Sequence, residues 1–379
     1  MLGRARYFAV AAAGGTAFVD MYATQPLLPA LRVDFHTSEA HVAATISSLT
    51  FAVALAAPFV GPLADAIGRK RVIVTAIFVL ALVTFAASHA HTIGELIFWR
   101  FLQGLAMPGI FATTLAYIAE EFPVEVAGRA VGSYIGGNVF GGFAGRYVSA
   151  LVAAHSGWQD AFLALGALNI VGGLIVLALL PPAQRFTRRA STRGAIGAIG
   201  GFLRTRTMVA TYAVGASILF TLVAAFTFAT FYLSGPPFSL STRALGNVFF
   251  VYLAGVIATP LSGRLIDRFG NRFTVLVALG MSAAGILATL LHELGGVIVG
   301  LAVMSTGVFV AQAASQGFVG KIASANRSTA AALYLTCYYI GGGLGAILPA
   351  WAFERAGWPG TVGMVIVVQG VAATIAYYG

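Results

Sequence analysis

Three charged residues lie inside long apolar stretches of this chain: Asp20, Arg100 and Arg146. A charge in the middle of a bilayer costs about 2.5–3.5 kcal/mol on insertion scales, so such residues usually have a function. Desolvation favours the neutral form of a buried carboxylate, and a neighbouring guanidinium favours its charged form. These residues therefore predict a proton-coupling site. The alternative is a structural ion pair that joins the segments without titrating.

The composition requires a membrane environment. Hydrophobic residues make up 59% of the 379 positions and charged residues only 9%, whereas soluble domains carry about 25% charged residues. The mean hydropathy is +0.89. A water-soluble enzyme and a disordered chain are both excluded. The net charge of +10 lies mostly in loops between the apolar segments, so it does not predict nucleic-acid binding.

The apolar residues form segments of about 20 residues, which is the length that a membrane-spanning helix needs. We count twelve, at 7–30, 41–63, 72–90, 94–118, 128–154, 159–180, 207–234, 244–264, 273–291, 294–319, 328–353 and 360–378. The predicted fold class is an all-α integral membrane protein with twelve transmembrane helices. At 1.5 Å per residue, the three interior charges lie about 9–15 Å below the outer ends of segments 1, 4 and 5.

Loop charges predict the orientation. With both termini in the cytoplasm, most of the 22 Lys and Arg residues lie on the inner side, and the outer loops hold Arg32, Arg243 and Arg355. We therefore expect a bacterial cytoplasmic (inner) membrane protein with both termini inside. The six His residues fall in outer loops or at their edges, so we expect no metal site and no cofactor.

The chain repeats itself. An Arg-rich stretch at 181–206 separates an N-terminal bundle of six helices at 1–180 from a C-terminal bundle at 207–379, and we interpret this stretch as a cytoplasmic linker with an interfacial helix near 194–204. Three pairs of motifs occupy matching places in the two halves: 58–71 with 260–272, 134–137 with 339–342, and 157–158 with 357–358. Such a duplication predicts a transporter built from two units.

The loops after segments 2 and 8 share a pattern of Gly, Asp, Gly and basic residues. Gly68 and Gly270 permit a tight turn between two spans, and Gly61 and Gly263 are expected to allow close helix approach. An aspartate at a helix end can bind an arginine or a helix N-terminus. For Asp65, candidate partners lie at the start of segment 5 and of segment 11. The predicted gating residues are Gly61, Asp65, Gly68, Arg69, Arg71, Arg129, Gly263, Asp267, Gly270 and Arg272.

These loops resemble the signature loop of the major facilitator superfamily. Arg100 and Gln103 are similar to its RxxQG pattern, and 137–142 resembles its antiporter pattern with Asn138 in place of Pro. Asp20 followed by Pro29 resembles the start of many drug/proton antiporters of this superfamily, and the chain as a whole resembles its bacterial drug and sugar-efflux branches. The resemblance implies two pseudo-symmetric six-helix bundles around a central cavity, with alternating access.

In that architecture segments 1, 4, 7 and 10 line the cavity, and segments 5 and 11 contribute. Buried amides need hydrogen-bond partners, so polar and aromatic residues there are substrate candidates. The candidates are Tyr22, Thr24, Gln25, Gln103, Met107, Asn138, Phe228, Tyr232, Gln312, Ser315, Gln316 and Tyr338.

The leading prediction is a monomeric, proton-coupled secondary transporter that exports a small organic molecule, with the substrate, protons and the lipid bilayer as its partners. One alternative is a proton symporter that imports an organic acid or sugar. Two other classes, an integral membrane enzyme and a channel, are disfavoured. The chain shows no nucleophile–base arrangement and no phosphate-binding loop, and its duplication favours alternating access.

Overall fold

A computed structural model describes residues 2–183, 200–322 and 327–378. The structure is 90% helix, and the described residues contain no strand, which confirms the predicted fold class. The first seven long helices are α1 Leu2–Met21, α2 Glu39–Ile67, α3 Arg69–Ala87, α4 Ile93–Glu121, α5 Val124–Ser156, α6 Trp158–Leu179 and α7 Arg206–Ser234. Tyr252–Ala288 is broken at Gly270 into α8 and α9, α10 is Leu294–Ile322, and Arg327–Tyr378 is broken at Gly357 into α11 and α12.

Eight helical elements in the described ranges are long and apolar enough to cross a membrane. They are α2, α3, α4, α6, α7 and α10, the stretch Ser262–Ala288, which contains α9, and the stretch Thr329–Tyr378, which covers α12 and nearly all of α11. Two predicted spans, α1 and α5, do not belong to this set. Charged, polar and glycine residues lower their mean hydropathy, and these two helices pack against each other.

The first span differs from its prediction. Segment 1 was expected to continue to residue 30, but α1 ends at Met21 and a short 3-10 helix, Gln25–Leu27, leads into a short helix, Leu28–Asp34. Pro26 has no N–H to donate to the carbonyl of Tyr22, so one bond of the α-helical ladder is missing there. The N–H of Gln25 bonds to that carbonyl instead, at 3.0 Å. The chain therefore turns between Met21 and Gln25, next to Asp20.

Glycines bring α1 and α5 into backbone contact. A Cβ on Gly137, Gly141 or Gly145 would lie 2.0, 2.2 or 1.9 Å from a backbone oxygen of α1, so no larger residue fits without moving a helix. The second half repeats this contact between α7 and α11, where Gly341 and Gly345 face Ala216 and Phe220. These contacts align Gly137 with Gly341. The sequence match had aligned Gly137 with Gly342, so the register of that repeat shifts by one residue.

The described residues group into two compact units. One comprises residues up to 37, those from 48 to 183, and 241–246, and the other comprises 38–47, 200–240 and the remainder from 247. Most of the predicted linker at 181–206 lies outside the described residues, although 200–204 are helical. The predicted bundle boundaries at 180 and 207 therefore stay predictions.

Candidate proton-coupling site

Asp20 lies on the last turn of α1 and is fully buried. One carboxyl oxygen, Oδ1, accepts a hydrogen bond of 3.3 Å from the hydroxyl of Thr84 on α3. The other, Oδ2, accepts a hydrogen bond from the amide of Asn169 on α6. Thr84 and Asn169 are also fully buried. The carboxyl group is therefore held between three helices by neutral donors.

Arg100 on α4 lies beside Asp20 and binds the end of α1. Its Nη1 donates to the backbone oxygen of Asp20 and its Nη2 to that of Met21, both at 2.9 Å. The last carbonyls of a helix have no partner within the helix, so a charged fork at this point both satisfies them and complements the helix dipole. Arg100 thus anchors α1 at the point where the helix stops.

Gln103 closes the network. Its oxygen accepts from Nη1 of Arg100 at 2.7 Å, and its nitrogen donates to the hydroxyl of Thr84 at 2.7 Å. The single hydroxyl proton of Thr84 is shared between the carboxyl group of Asp20 and the backbone oxygen of Leu80, which is nearer, at 2.7 Å. A cluster of neutral groups therefore connects the arginine to the carboxylate.

Arg146 holds the turn that follows α1. It is 1% exposed, and its Nε donates to the side-chain oxygen of Gln25 at 2.8 Å. Its guanidinium also lies 4.8 Å from the ring centre of Tyr22, a cation–π distance. On the same face of α5, Ser149 donates to the backbone oxygen of Ala23 at 2.8 Å. The predicted charges Arg100 and Arg146 therefore both meet the chain around Asp20, from α4 and from α5.

The predicted gating loop of the first half contains an ion-pair cluster. Arg69 is largely buried and binds Asp65 at 2.6 Å, and it binds Glu120 at the end of α4 with two bonds, of 2.7 and 3.2 Å. Gly68 lies between α2 and α3 with a φ of 98°, as expected for a glycine turn. The guanidinium of Arg129 stacks on the ring of Tyr7 at 5.1 Å, and Arg71 is exposed.

In the matching loop of the second half, the neutral amide of Asn271 takes the place of an ion pair. Gly270 has a φ of 81°, and Asn271 donates to the backbone oxygen of Ala314 at 2.7 Å while accepting from Lys321 at 3.0 Å. Asp267 is exposed, and Arg272 stacks on Tyr377 at 5.0 Å.

One prediction about these loops is wrong. Gly61 and Gly263 were expected to allow close helix approach, but a Cβ on either would meet nothing within 4 Å among the described residues. Both glycines occupy open positions in this structure.

The predicted cavity residues of the first half lie around α1. Tyr22, Thr24, Gln25, Gln103 and Met107 are all buried. Asn138 on α5 lies against Gly14 of α1. In the first half, therefore, Tyr22, Gln25 and Gln103 are already engaged with the two arginines.

Half of the predicted residues of the second half are aromatic, and these three pack against other rings. Phe228 contacts Phe353 at 5.4 Å, Tyr232 stacks on Trp358 at 5.4 Å, and Tyr338 stacks on Tyr334 at 6.0 Å. On α10, Gln312 is half-buried, Ser315 is buried and Gln316 is exposed. Gln316 and Tyr334 line a small cavity of about 180 Å³ between α10 and α11. Substrate contact by these residues stays a prediction.

Sequence reasoning missed three partners of the site: Thr84, Ser149 and Asn169. Asn169 had a usable signal, because it is an amide in the middle of an apolar segment. Gln369 lies at the matching position of segment 12, in the register set by the repeated Gly-Trp pairs at 157–158 and 357–358. A buried threonine or serine carries no comparable signal, because either hydroxyl can bond to its own helix.

These features define a multi-pass membrane transporter: long helices in two related units, with glycine contacts at matching places in both and buried charges in the first. The family model for the Major Facilitator Superfamily matches residues 10–246 and 236–379, so the chain belongs to that superfamily. The family fold implies embedding in a membrane and a small-molecule substrate.

Two bacterial relatives cover most of the chain. The "Inner membrane transport protein YnfM" of Escherichia coli (strain K12) is 30% identical over 97% of this chain and 88% of its own. The "Uncharacterized MFS-type transporter YybF" of Bacillus subtilis (strain 168) is 29% identical over 98% of this chain and 92% of its own. Among solved structures, a bacterial homolog of the human lysosomal transporter Spinster, inward-facing and occupied, matches with a TM-score of 0.79 at 17% identity. It covers 98% of this chain and 95% of its own, and at that identity the likeness concerns the fold alone.

Proposed function

We propose that this chain is a proton-coupled secondary transporter that exports a small organic molecule by alternating access. The observation that carries the proposal is the Asp20 carboxyl group, fully buried on α1 with hydrogen bonds from neutral donors. Both oxygens accept from neutral groups, so the group can gain a proton without displacing a cation from either oxygen. That arrangement favours a titrating site over a structural ion pair.

The coupling proceeds through the end of α1. Arg100 and Arg146 fix the chain from residue 20 to residue 25 against α4 and α5. Protonation of Asp20 removes a negative charge from the centre of this bonded region, which changes the balance of the contacts that hold α1. The movement of α1 against its neighbours then exposes the substrate site to the other side of the membrane. The Asp65–Arg69–Glu120 cluster serves as the gate at the inner ends of α2 to α4.

The proposed substrate is neutral or weakly charged and has apolar parts. Among the described side chains, the buried charged ones are Asp20, Arg69, Arg100 and Arg146, all from the first half. The second half contributes aromatic, amide and hydroxyl groups at the predicted cavity positions. Such a surface fits apolar and hydrogen-bonding groups better than a strongly anionic molecule.

Export from the cytoplasm across the inner membrane, with both termini inside, is part of the proposal. It is supported by the antiporter-like glycines of α5, by the positions of Asp20 and Pro29, and by the basic loops. The printed name of YnfM, an inner membrane transport protein, agrees with the proposed location.

Reconstitution tests the proposal. Purified protein in liposomes with a pH-sensitive dye inside is given panels of drug-like molecules, sugars and carboxylates. We expect protons to move opposite to the substrate, and we expect this movement to stop in Asp20→Asn. Asp34→Asn is the matched control, because it makes the same chemical change at an exposed carboxylate.

The other outcomes are equally informative. Proton movement in the same direction as the substrate establishes an uptake symporter and refutes export. Transport without proton movement, or full coupling in Asp20→Asn, makes Asp20 a structural residue and refutes the coupling mechanism.

A further inference from the structure

Asn169 is a fully buried amide on α6 with one of its two polar atoms paired. Its nitrogen donates to Oδ2 of Asp20, and its oxygen, Oδ1, has no hydrogen-bond partner among the described residues. A buried, unpaired amide oxygen is costly, because it has lost water and gained nothing in return. This oxygen lies next to the group that we propose to titrate.

Asn169 is the strongest donor to the charged form of Asp20. The hydroxyl of Thr84 has a single proton, and its bond to the oxygen of Leu80, at 2.7 Å, is shorter than its 3.3 Å contact with Asp20. The fork of Arg100 binds backbone oxygens of Asp20 and Met21. The amide of Asn169 therefore carries most of the hydrogen bonding to the carboxylate itself.

The two ends of an amide suit the two states of a carboxyl group. The NH₂ group donates to a carboxylate, and the oxygen accepts from the O–H of a carboxylic acid. A half-turn of the Asn169 head exchanges one for the other without moving a helix. We infer that Asn169 is a positioning residue for the proton on Asp20, which donates to the carboxylate and turns to accept from the acid. This inference rests on the proposed coupling role of Asp20.

The helices packed on α1 bring both charged and neutral side chains near Asp20, and the hydrogen bonds to its carboxyl oxygens come from the neutral ones. Of the helices packed on α1, α4 brings Arg100, which donates to backbone oxygens of α1, and α5 brings Arg146, which donates to the side chain of Gln25 and to the backbone oxygen of Gly142. From α3 and α6 come Thr84 and Asn169, which are neutral.

The second half supplies an internal comparison. Gln369 stands where the repeat places the counterpart of Asn169, and it is also buried with an unpaired amide oxygen. Its nitrogen donates to the hydroxyl of Ser282 at 2.7 Å. The helix contacts place Ala225 where the first half has Asp20. The same buried amide thus occurs once beside a carboxyl group and once beside a hydroxyl.

The test reads the protonation of Asp20 directly. Infrared spectra of the full-length protein in lipid are recorded across a pH series, and the C=O stretch of the buried carboxylic acid is assigned by its loss in Asp20→Asn. In Asn169→Leu we expect the midpoint of this band to move upwards by about 1 pH unit, because both forms of the carboxyl group lose a hydrogen bond and the one to the charged form is the stronger. Gln369→Leu removes the matching amide and should leave the midpoint unchanged.

If Asn169→Leu does not fold, a second variant provides the same test. Asn169→Asp has nearly the same shape, and a second carboxyl group beside Asp20 should also raise the midpoint and split the titration into two steps. Measured on transport, the pH profile of Asn169→Leu should shift in the same direction. In the Asp20→Asn background, Asn169→Leu should cause no further shift.

The outcomes separate this inference from the proposed function. An unmoved midpoint in Asn169→Leu, or equal shifts in Asn169→Leu and Gln369→Leu, overturns the inference even if Asp20 couples transport to protons. The absence of any titrating band that depends on Asp20 overturns it as well. A shifted band in a protein that moves no protons supports the inference and refutes the coupling mechanism.

Discussion

Replacing a glycine of α5 by alanine should destabilise the protein where the glycine contacts α1 and should stabilise it slightly where the glycine has open space. In Gly141→Ala the new Cβ would lie 2.2 Å from the backbone oxygen of Gly15, whereas ordinary contact begins at 3.4 Å. The helices must separate by about 1.2 Å, which is the difference between these distances. Overpacking of this kind costs about 1–3 kcal/mol. Alanine is favoured over glycine in a helix by about 0.5–1 kcal/mol, so propensity offsets part of that cost.

Gly136→Ala is the matched control on the same helix. A Cβ there would meet nothing within 4 Å, so only the gain in helix propensity remains and the variant should be slightly stabilised. Thermal and denaturant unfolding of the purified proteins should show Gly141→Ala less stable than Gly136→Ala by about 1–3 kcal/mol. Equal stability of the two variants would refute the close contact. In the second half, Gly345→Ala and Gly363→Ala should repeat the difference.

Three further predictions concern the side chains that hold the first half. Arg100→Lys keeps the charge, but one ammonium group cannot replace a fork that reaches two carbonyls, so transport should fall at least about tenfold in a folded protein. Arg69→Lys loses the two-bond contact with Glu120, and because that pair is partly exposed, unfolding should show a loss of at most about 1 kcal/mol. Ser149→Ala leaves the carbonyl of Ala23 unpaired and should cost about 1–3 kcal/mol in the same unfolding assay, while Ser149→Thr, which keeps the hydroxyl, should cost less.

The sequence was a good guide wherever local chemistry decides the structure. Continuous apolar runs of about 20 residues match a membrane-spanning helix, whereas a spanning strand alternates apolar and polar residues over about 10 positions. The length of the runs therefore predicts the all-α class. Gly68 and Gly270 were expected to form turns, and both have positive φ values. The positions of Asp20, Arg100 and Arg146 inside apolar segments predicted burial, and each of them is at most 1% exposed.

The sequence was a poor guide to which side chains meet. It placed Asp20 where it could pair with Arg100 or Arg146, and Arg100 does lie beside it, but the hydrogen bonds to the carboxyl oxygens come from Thr84 and Asn169, on helices that had not been considered for the site. Arg100 instead satisfies the backbone at the end of α1, and that end was itself predicted about nine residues too late. Helix rotation and register decide such contacts, and an apolar segment without a strong amphipathic pattern specifies neither.

By itself, the sequence determined that this protein spans a membrane, that it repeats a six-helix unit, and which of its charges are costly enough to need a function. These follow from transfer free energy and from internal matches, which need no knowledge of contacts. Only the tertiary structure decided that the chain turns after Met21, that α4 and α5 anchor this turn, and that Asn169 meets Asp20. Those facts depend on how helices far apart in sequence rotate and pack against one another, because a buried donor and acceptor must meet for either to be stable outside water.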